Sequence, residues 1–477
     1  MEIKEGLTYD DVLMIPQRNN VASRSLVDTS TYITRNIKLK IPMVSMHMAT
    51  VTESDMAIAM ASEGGMGFIH RFMPIEEQAA EVRKVKRTVG MIIEDPLTCS
   101  DDISLGEAVK KMESENITSL LVVDNENKLI GIFTTRDYVF ETDMSKSVKE
   151  LMTPKDKLIT GDLKISIDDA KKLLNKYKIE KLPLIDKENR IGGLVCSKSI
   201  RHLEEHNRAC RDSKGRLRVG AAVGITGDYI ERAQALVREG VDILVVDVAH
   251  AHSDMTINTI KELKKRFKVD VLAGNIATAE AAKDLIKAGA DGLKVGIGNG
   301  TICTTRLVAG AGVPQLTAVF DVVKVGKKYG VPVSNEGGIA SPGNFTKAIA
   351  AGCNAAIFGS AFAGTEETPG PIVYKDGKRY KHYHGSTSYT SNVMKEAREN
   401  KQPVKKFLKD AYVEGVESLV PFKGPVTNVI DAYMKGLRSG TTYCGAKNIS
   451  EMQNNVKFIK ITSAGFKESG THDIKEV

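Results

Sequence analysis

From about residue 240 onward the chain repeats one unit. A short run of mostly β-branched and apolar residues ends in Gly, Asp, Asn or Ser, and in several cases a helical pattern follows. The runs are Val241–Asp247, Val269–Asn275, Gly292–Gly296, Val331–Ser334 and Ala355–Gly359, with helical stretches such as Met255–Phe267 and Ala279–Ala288 between them. Continuous apolar strands alternating with amphipathic helices make βαβ units, and so a parallel sheet covered by helices. Repeated units with short loops predict an α/β fold of the (β/α)8 TIM-barrel type rather than an open sheet. Such a barrel builds its site at the C-terminal ends of the strands. Those ends are Asp247, Asn275, Gly296–Cys303, Glu336–Gly338 and Gly359–Ser360.

The stretch 92–203 has another texture. Ile117–Phe133 aligns with Ile179–Val195 at a constant offset, so that Asp124 matches Asp186, Asn127 matches Asn189 and Gly131 matches Gly193. Each copy reads as a strand, a polar turn and a second strand, preceded by a helix (Ser104–Glu115; Ser166–Tyr177). Thr8–Val89 reads as an early barrel segment. The expected division is therefore 1–91 for the first part of the barrel, 92–203 for an inserted paired module, and 204–477 for the rest. Loops are the tolerated place for such insertions.

Composition narrows the function classes. The balance of 67 Lys and Arg against 60 Asp and Glu gives a net charge of only +7, too mild to argue for nucleic acid. No apolar run approaches the ~18 residues that a membrane span needs. The start, Met1–Gly6, does not read as a signal peptide. The six cysteines (99, 196, 210, 303, 353 and 444) are scattered without a Cys-x-x-Cys, which predicts free thiols in a reduced, cytoplasmic protein and no zinc site.

The segment Lys294–Arg306 is the most informative. Gly296, Gly298 and Gly300 suit a strand-ending loop that needs φ > 0. The loop presents Cys303 among hydroxyls and a cation, and a thiol at a barrel mouth is well placed as a nucleophile. His250 and His252 read as a loop pair rather than metal ligands, for want of a third ligand. Asp247 reads either as an acceptor for a ribose or nicotinamide or as a loop cap. Asn392–Asp410 reads as a solvated basic helix or a lid.

At this point the motifs coincide with a family. Leu7–Pro16, Pro42–Glu53, Gly296–Arg306, Gly364–Gly370, Val420–Gly424, Tyr443–Ala446 and Ile461–Gly465 resemble the IMP dehydrogenase/GMP reductase family, and the insert resembles a tandem CBS (Bateman) module. The resemblance implies that Cys303 attacks purine C2, that a hydride is exchanged between C2 and a nicotinamide, and that Thr305 and Glu414 serve proton transfer. It places the purine mononucleotide at Met48, Asn275, Thr301, Glu336, Gly337, Gly338, Gly359, Ser360, Tyr383, Gly385 and Ser386. Gly337, Gly338 and Gly359 would let backbone amides approach its phosphate. It places the cofactor, NADPH or NAD, at Asp247, Val248, Ala249, Gly296, Ile297 and Gly298. It also implies K+ at Gly298, Gly300 and Cys303, aided by Glu468, Ser469 and Gly470 of a neighbour. Regulatory purine nucleotides would sit at Thr134 and Asp137, in a homotetramer or octamer, with a mobile flap over about 385–418.

Two branches of the family share the covalent intermediate. IMP dehydrogenases resemble one another in an Arg-Tyr pair on the flap, whose Arg activates the hydrolytic water. Here the matching positions are Lys401-Gln402. That absence points to GMP reductase. IMP dehydrogenase is the alternative, and a non-catalytic nucleotide sensor the third reading. Other departures touch the nucleotide. Ala49 and Glu336 stand where the family has Asp, Ser386-Thr387 alter the base-reading loop, and Ser199 replaces an Asp in the second CBS repeat.

Overall fold

The computed structural model describes residues 3–88, 92–93, 96–115, 117–198, 200–201, 207–385, 388 and 415–471. By contact it divides into two units. One comprises Met1–Thr88, Arg208–Asp212 and Leu217–Val477, the other Val89–Asn207 and Ser213–Arg216.

The first unit is a closed barrel of eight parallel strands. They are β1 (Met43–Ser45), β2 (Met66–Ile69), β3 (Val219–Val223), β4 (Ile243–Asp247), β5 (Asp270–Ile276), β6 (Gly292–Val295), β7 (Val333–Glu336) and β8 (Ala355–Phe358). Each strand pairs with the next in sequence and β8 closes on β1. Helices follow the strands: α1 (Ser54–Ser62), α2 (Ile75–Thr88), α3 (Tyr229–Arg238), α4 (Asp254–Arg266), α5 (Ala279–Ala288), α6 (Gln315–Tyr329), α7 (Pro342–Ala350) and α8 (Val426–Tyr443). Local chemistry fixes several of their ends. Ser253, Thr278 and Ser341 accept backbone N–H groups at N-termini, and Gly289 and Gly330 take left-handed C-terminal positions.

The expected (β/α)8 barrel is thus present, with small boundary shifts. The run expected at Val331–Ser334 is a strand over Val333–Glu336, because Pro332 has no N–H to offer a ladder. Glu336 is therefore a strand residue, not a loop residue. Two apolar layers hold the barrel. Val44, Met66, Phe68, Ile243, Val245, Leu272, Ala355 and Ile357 pack together in one cluster. The alternate positions, such as Leu244, Val246, Leu293 and Val333, pack with helix residues including Leu263, Leu285, Val319 and Phe345.

The second unit contains two small sheets. One has the strand order Thr98–Cys99, Ser119–Val123, Leu129–Thr134, Thr153–Pro154; the other has Gly161–Asp162, Lys181–Ile185, Ile191–Cys196. The repeat is visible atom by atom. Asn127 and Asn189 both take positive φ, 61° and 64°. Asp124 caps the first turn by accepting the Glu126 and Lys128 amides, and Asp186 does the same for Glu188 and Arg190. Asp137 accepts from the Thr134 amide and hydroxyl, 2.6 and 2.7 Å, closing the cap of a short helix. Ser199 lies outside the described residues. Among the described residues, no helix is long and apolar enough to cross a membrane.

The chain passes between the units four times, after Thr88, Asn207, Asp212 and Arg216, and ion pairs hold the barrel side of these passages. Lys86, 4% exposed, donates to Asp212 and Asp242 at 3.1 and 2.6 Å, and Arg218 adds a contact to Asp242 at 3.2 Å. The barrel has its own core, and Thr88 and Arg208 are the barrel residues that flank the long insert. A chain that joins them through a short Gly-Ser linker is expected to keep a cooperative thermal transition, followed by circular dichroism. A transition that loses cooperativity would show that the barrel depends on the insert.

Candidate active site

Period-two alternation decides which strand-end side chains point into the barrel. In β4, Ile243 and Val245 point inward, and Asp247 continues their series. In β6, Leu293 and Val295 pack against the helices, so Lys294 between them points inward. In β7 the same parity turns Ser334 and Glu336 inward, and His47 follows just after β1. These groups converge. Lys294 Nζ lies 2.7 Å from Asp247 Oδ1, 3.1 Å from Glu336 Oε2 and 3.3 Å from His47 Nε2. His47 Nε2 lies 2.7 Å from Asp247 Oδ1. Asn275, placed where the β5–β6 register shifts, donates to Glu336 Oε1 at 2.8 Å and to the Gly296 carbonyl at 2.8 Å.

Burial alone would neutralise these groups, yet the Asp247 carboxyl is held well below its usual range. Its desolvation is outweighed by the His47 and Lys294 contacts. Lys294, fully buried, is likewise pushed up, because Asp247 and Glu336 outweigh its desolvation. The pair is ionised.

His47, Asp247 and Glu336 offer atoms within 4.8 Å of one another, close enough for one metal ion. The Lys294 ammonium already stands among them, so a tethered cation takes that position. Elsewhere, His252 Nε2 meets Asp284 at 3.1 Å and its ring lies edge-on to His250, which fits the loop reading of that pair.

Above this layer runs the glycine loop. A Cβ on Gly296 (φ +147°) would meet the Glu336 carbonyl at 2.1 Å, so only glycine lets β6 leave the barrel beside β7. Gly298 is also left-handed (φ +73°), whereas Gly300 is not. The loop presents Cys303 half-buried, with Sγ 3.2 Å from Thr305 Oγ1. The cation expected beside the thiol is not there. Arg306 donates instead to the Ile297 and Val313 carbonyls and braces the loop. Asn299 ties the loop to β7 by donating to the Glu336 carbonyl at 2.9 Å. Its backbone carbonyl accepts the Gly338 amide at 3.2 Å, a second tie between the loop and the turn after β7.

A cavity of about 470 Å³ opens over these groups, a volume suited to a nucleotide-sized ligand. Its walls bring together Cys303, Thr305, Met48, Asn275, Thr301, Glu336, Gly337, Gly338, Gly359, Ser360, Tyr383 and Gly385. They also include Asp247, Val248, Ala249, Gly296, Ile297, Gly298 and Gly300. Glu468, Ser469 and Gly470 close the helix Ser463–Glu468 and its following turn, outside this lining. Ser386, Glu414 and the flap residues Lys401 and Gln402 lie outside the described residues. Gly415, next to Glu414, bridges to Cys303, and Val416 donates to Ile302 at 3.1 Å.

Sequence reasoning missed His47, Arg71 and the role of Lys294. A lysine inside an apolar strand run was the available signal. Cys210 is only 3% exposed, in the barrel core. Burial pushes the Cys99 thiol up to about 11 and the Cys210 thiol up to about 12, and raises Cys196, Cys353 and Cys444 as well.

Comparison with known proteins gives three further findings. The family model described as IMP dehydrogenase / GMP reductase domain matches residues 6–472. An inosine-5'-monophosphate dehydrogenase of Nitrosopumilus maritimus is 47% identical over 476 residues, covering 99% of both chains. A GMP reductase of Leishmania donovani is 45% identical over 485 residues, covering 100% of this chain and 98% of its own. Among solved structures, a GMP reductase from Trypanosoma brucei in complex with guanosine 5'-monophosphate matches with TM-score 0.92 and 44% identity, over 99% of each chain.

Three outcomes follow from the geometry. Lys294→Met leaves two buried carboxylates without their cation, and should lower the unfolding free energy by about 3–5 kcal/mol in urea titration. Asp247's contribution is lost only as pH falls through its lowered pKa, and that of Lys294 only as pH rises through its raised one. The contribution of this pair should therefore stay level from about pH 5 to 9, read as an unchanged difference between wild type and Lys294→Met across that range. Iodoacetamide at neutral pH should label Cys303 ahead of the other five thiols, read by peptide mass spectrometry.

Proposed function

The chain belongs to the IMP dehydrogenase / GMP reductase family, and from that premise we propose that it is a GMP reductase, converting GMP and NADPH to IMP, ammonia and NADP. The observation that carries this reading is the Cys303–Thr305 pair at 3.2 Å, joined to a flap sequence with Lys401-Gln402 in place of Arg-Tyr. In this reading Cys303 Sγ adds to purine C2, and the bond from C2 to the amino nitrogen breaks. Thr305, backed by Glu414, delivers the proton with which the amine leaves as ammonia. The nicotinamide cofactor, when bound, supplies the hydride that replaces sulfur on C2 and frees the thiol. Asp247, Val248 and Ala249 would hold that cofactor. Asp247 suits the task because its Oδ2 has no bonded partner among the described residues and its side chain is 16% exposed.

A second reading, IMP dehydrogenase, is favoured by the 47% identity to the Nitrosopumilus relative of that name. It would require Lys401 to activate water. An ammonium lacks the planar fork of a guanidinium and differs from it in pKa, which weighs against that role.

The same family reading extends to partners. We assign the inserted unit to the tandem CBS type, with regulatory purine nucleotides near Thr134 and Asp137. K+ would be held by the Gly298, Gly300 and Cys303 carbonyls with Glu468–Gly470 of a neighbouring subunit, in a cytoplasmic homotetramer or octamer.

The test is direct. The protein is incubated with GMP plus NADPH, and separately with IMP plus NAD, and the reduced-nicotinamide absorbance is followed. Loss of NADPH with ammonia release is the expected result. Appearance of NADH with XMP would establish the second reading instead. Cys303→Ala should lower turnover by at least about a thousandfold in whichever reaction occurs. Turnover near wild type would remove Cys303 from the chemistry.

A further inference from the structure

His47 has no counterpart among the roles drawn from sequence, yet its side chain is 1% exposed on the cavity floor. Two neutral tautomers are available to it. With the proton on Nδ1, the Nε2 lone pair would face an ionised Asp247 oxygen at 2.7 Å, and the Nδ1–H would be a buried donor without an acceptor. Nδ1 has no hydrogen-bond partner among the described residues and is closed to water. With the proton on Nε2, the ring donates to Asp247 and leaves only a lone pair unbonded. The second arrangement removes a stranded donor and supplies the proton of the shorter contact, 2.7 Å to Asp247, which outweighs the 3.3 Å approach of Nε2 to the Lys294 ammonium. His47 is thus an Nε2–H donor.

The consequence falls on Asp247. Both of its charged neighbours meet the same oxygen: His47 Nε2 and Lys294 Nζ each lie 2.7 Å from Oδ1. Lys294 alone is a single point of attachment, about which a carboxylate can turn. A second donor on Oδ1, fixed in the turn after β1, sets the plane of the group. Oδ2 is left as the acceptor toward the cavity, beside Val248 and Ala249.

We propose that His47 is the positioning residue for Asp247, and through it sets the affinity of this side of the cavity for a nicotinamide cofactor. The inference rests on the reading that Asp247, Val248 and Ala249 face that cofactor. Its ligand partner on Oδ2 is a hydrogen-bond donor, of the kind a carboxamide or a ribose hydroxyl provides.

The experiment compares wild type, His47→Phe and His47→Gln. NADPH affinity is titrated by fluorescence and GMP affinity separately by calorimetry. His47→Phe should weaken NADPH binding about tenfold, the scale of one charge-assisted hydrogen bond. GMP binding should stay within about twofold. His47→Gln, which keeps an N–H donor, should recover most of the loss. Equal loss for both ligands, or no loss, overturns the proposal. Ring-nitrogen NMR of the 15N-histidine-labelled wild type gives a second readout, independent of ligand affinity. The resonances absent from His47→Gln should report a protonated Nε2 and a bare Nδ1 at neutral pH. A protonated Nδ1 overturns the proposal even where reductase activity stands. A wild type that binds NADPH but turns over neither GMP nor IMP overturns the proposed function and leaves the His47 comparison intact. A wild type that binds no nicotinamide nucleotide overturns both.

Discussion

The Lys294 ammonium, buried between two carboxylates, is the contact on which the site depends. An isolated charge at that depth would be too costly to keep, and so would either carboxylate alone. Together they make a layer whose charges are paired. Because its members come from the ends of β4, β6 and β7 and from the turn after β1, the layer ties strands far apart in sequence into one floor. The glycine loop, the Glu336–Gly338 turn and Asp247 all take their positions from it.

A second set of polar contacts holds the floor from behind. Tyr9, 1% exposed, donates to Asn335 at 2.7 Å, and Gln315 donates to the same Asn335 oxygen at 2.6 Å and to the Val295 carbonyl at 2.9 Å. Asn335 in turn donates to the Gly337 carbonyl at 2.8 Å. The N-terminal segment, β6, α6 and β7 are joined by one chain of hydrogen bonds. A cooperative network of this kind keeps the turn beside the thiol loop from drifting, which a reaction needing atoms about 3 Å apart requires. The beginning of the chain therefore belongs to the site it lies far from in sequence.

Much of this could be read from the residues alone, and the boundary between what could and could not has a physical cause. Strand-end residues announce themselves, because a β-branched run that stops at Gly, Asp or Asn marks where the chain leaves the barrel. That logic found Asp247, Asn275 and the Cys303 loop, all of which line one cavity. It did not find His47 or the role of Lys294. Their importance comes from parity: which face of a strand a residue occupies, and which strand lies across the barrel. Parity is a property of register, and register is set by partners distant in sequence. Arg306 shows the opposite error. Its place two residues after Thr304 suggested a cation for the thiol, whereas the loop's open carbonyls are the stronger attraction for a guanidinium.

The same division explains how one barrel serves more than one reaction. The floor, the glycine loop and the Cys303–Thr305 pair are held by strands and buried contacts, so they tolerate little change. On the proposed reading, the residues that would choose between water and an amine as the partner of the C2 adduct belong to the flap sequence around Lys401-Gln402. Relatives bearing both enzyme names share close to half of their residues with this chain across its whole length. Overall likeness is nearly the same for the two names, 47% against 45%, so the choice rests with individual groups. On the proposed reading, replacing an Arg-Tyr pair by Lys401-Gln402 removes a route for water without disturbing the frame. The covalent step at Cys303 remains, and the hydride is left with only one direction that needs no activated water.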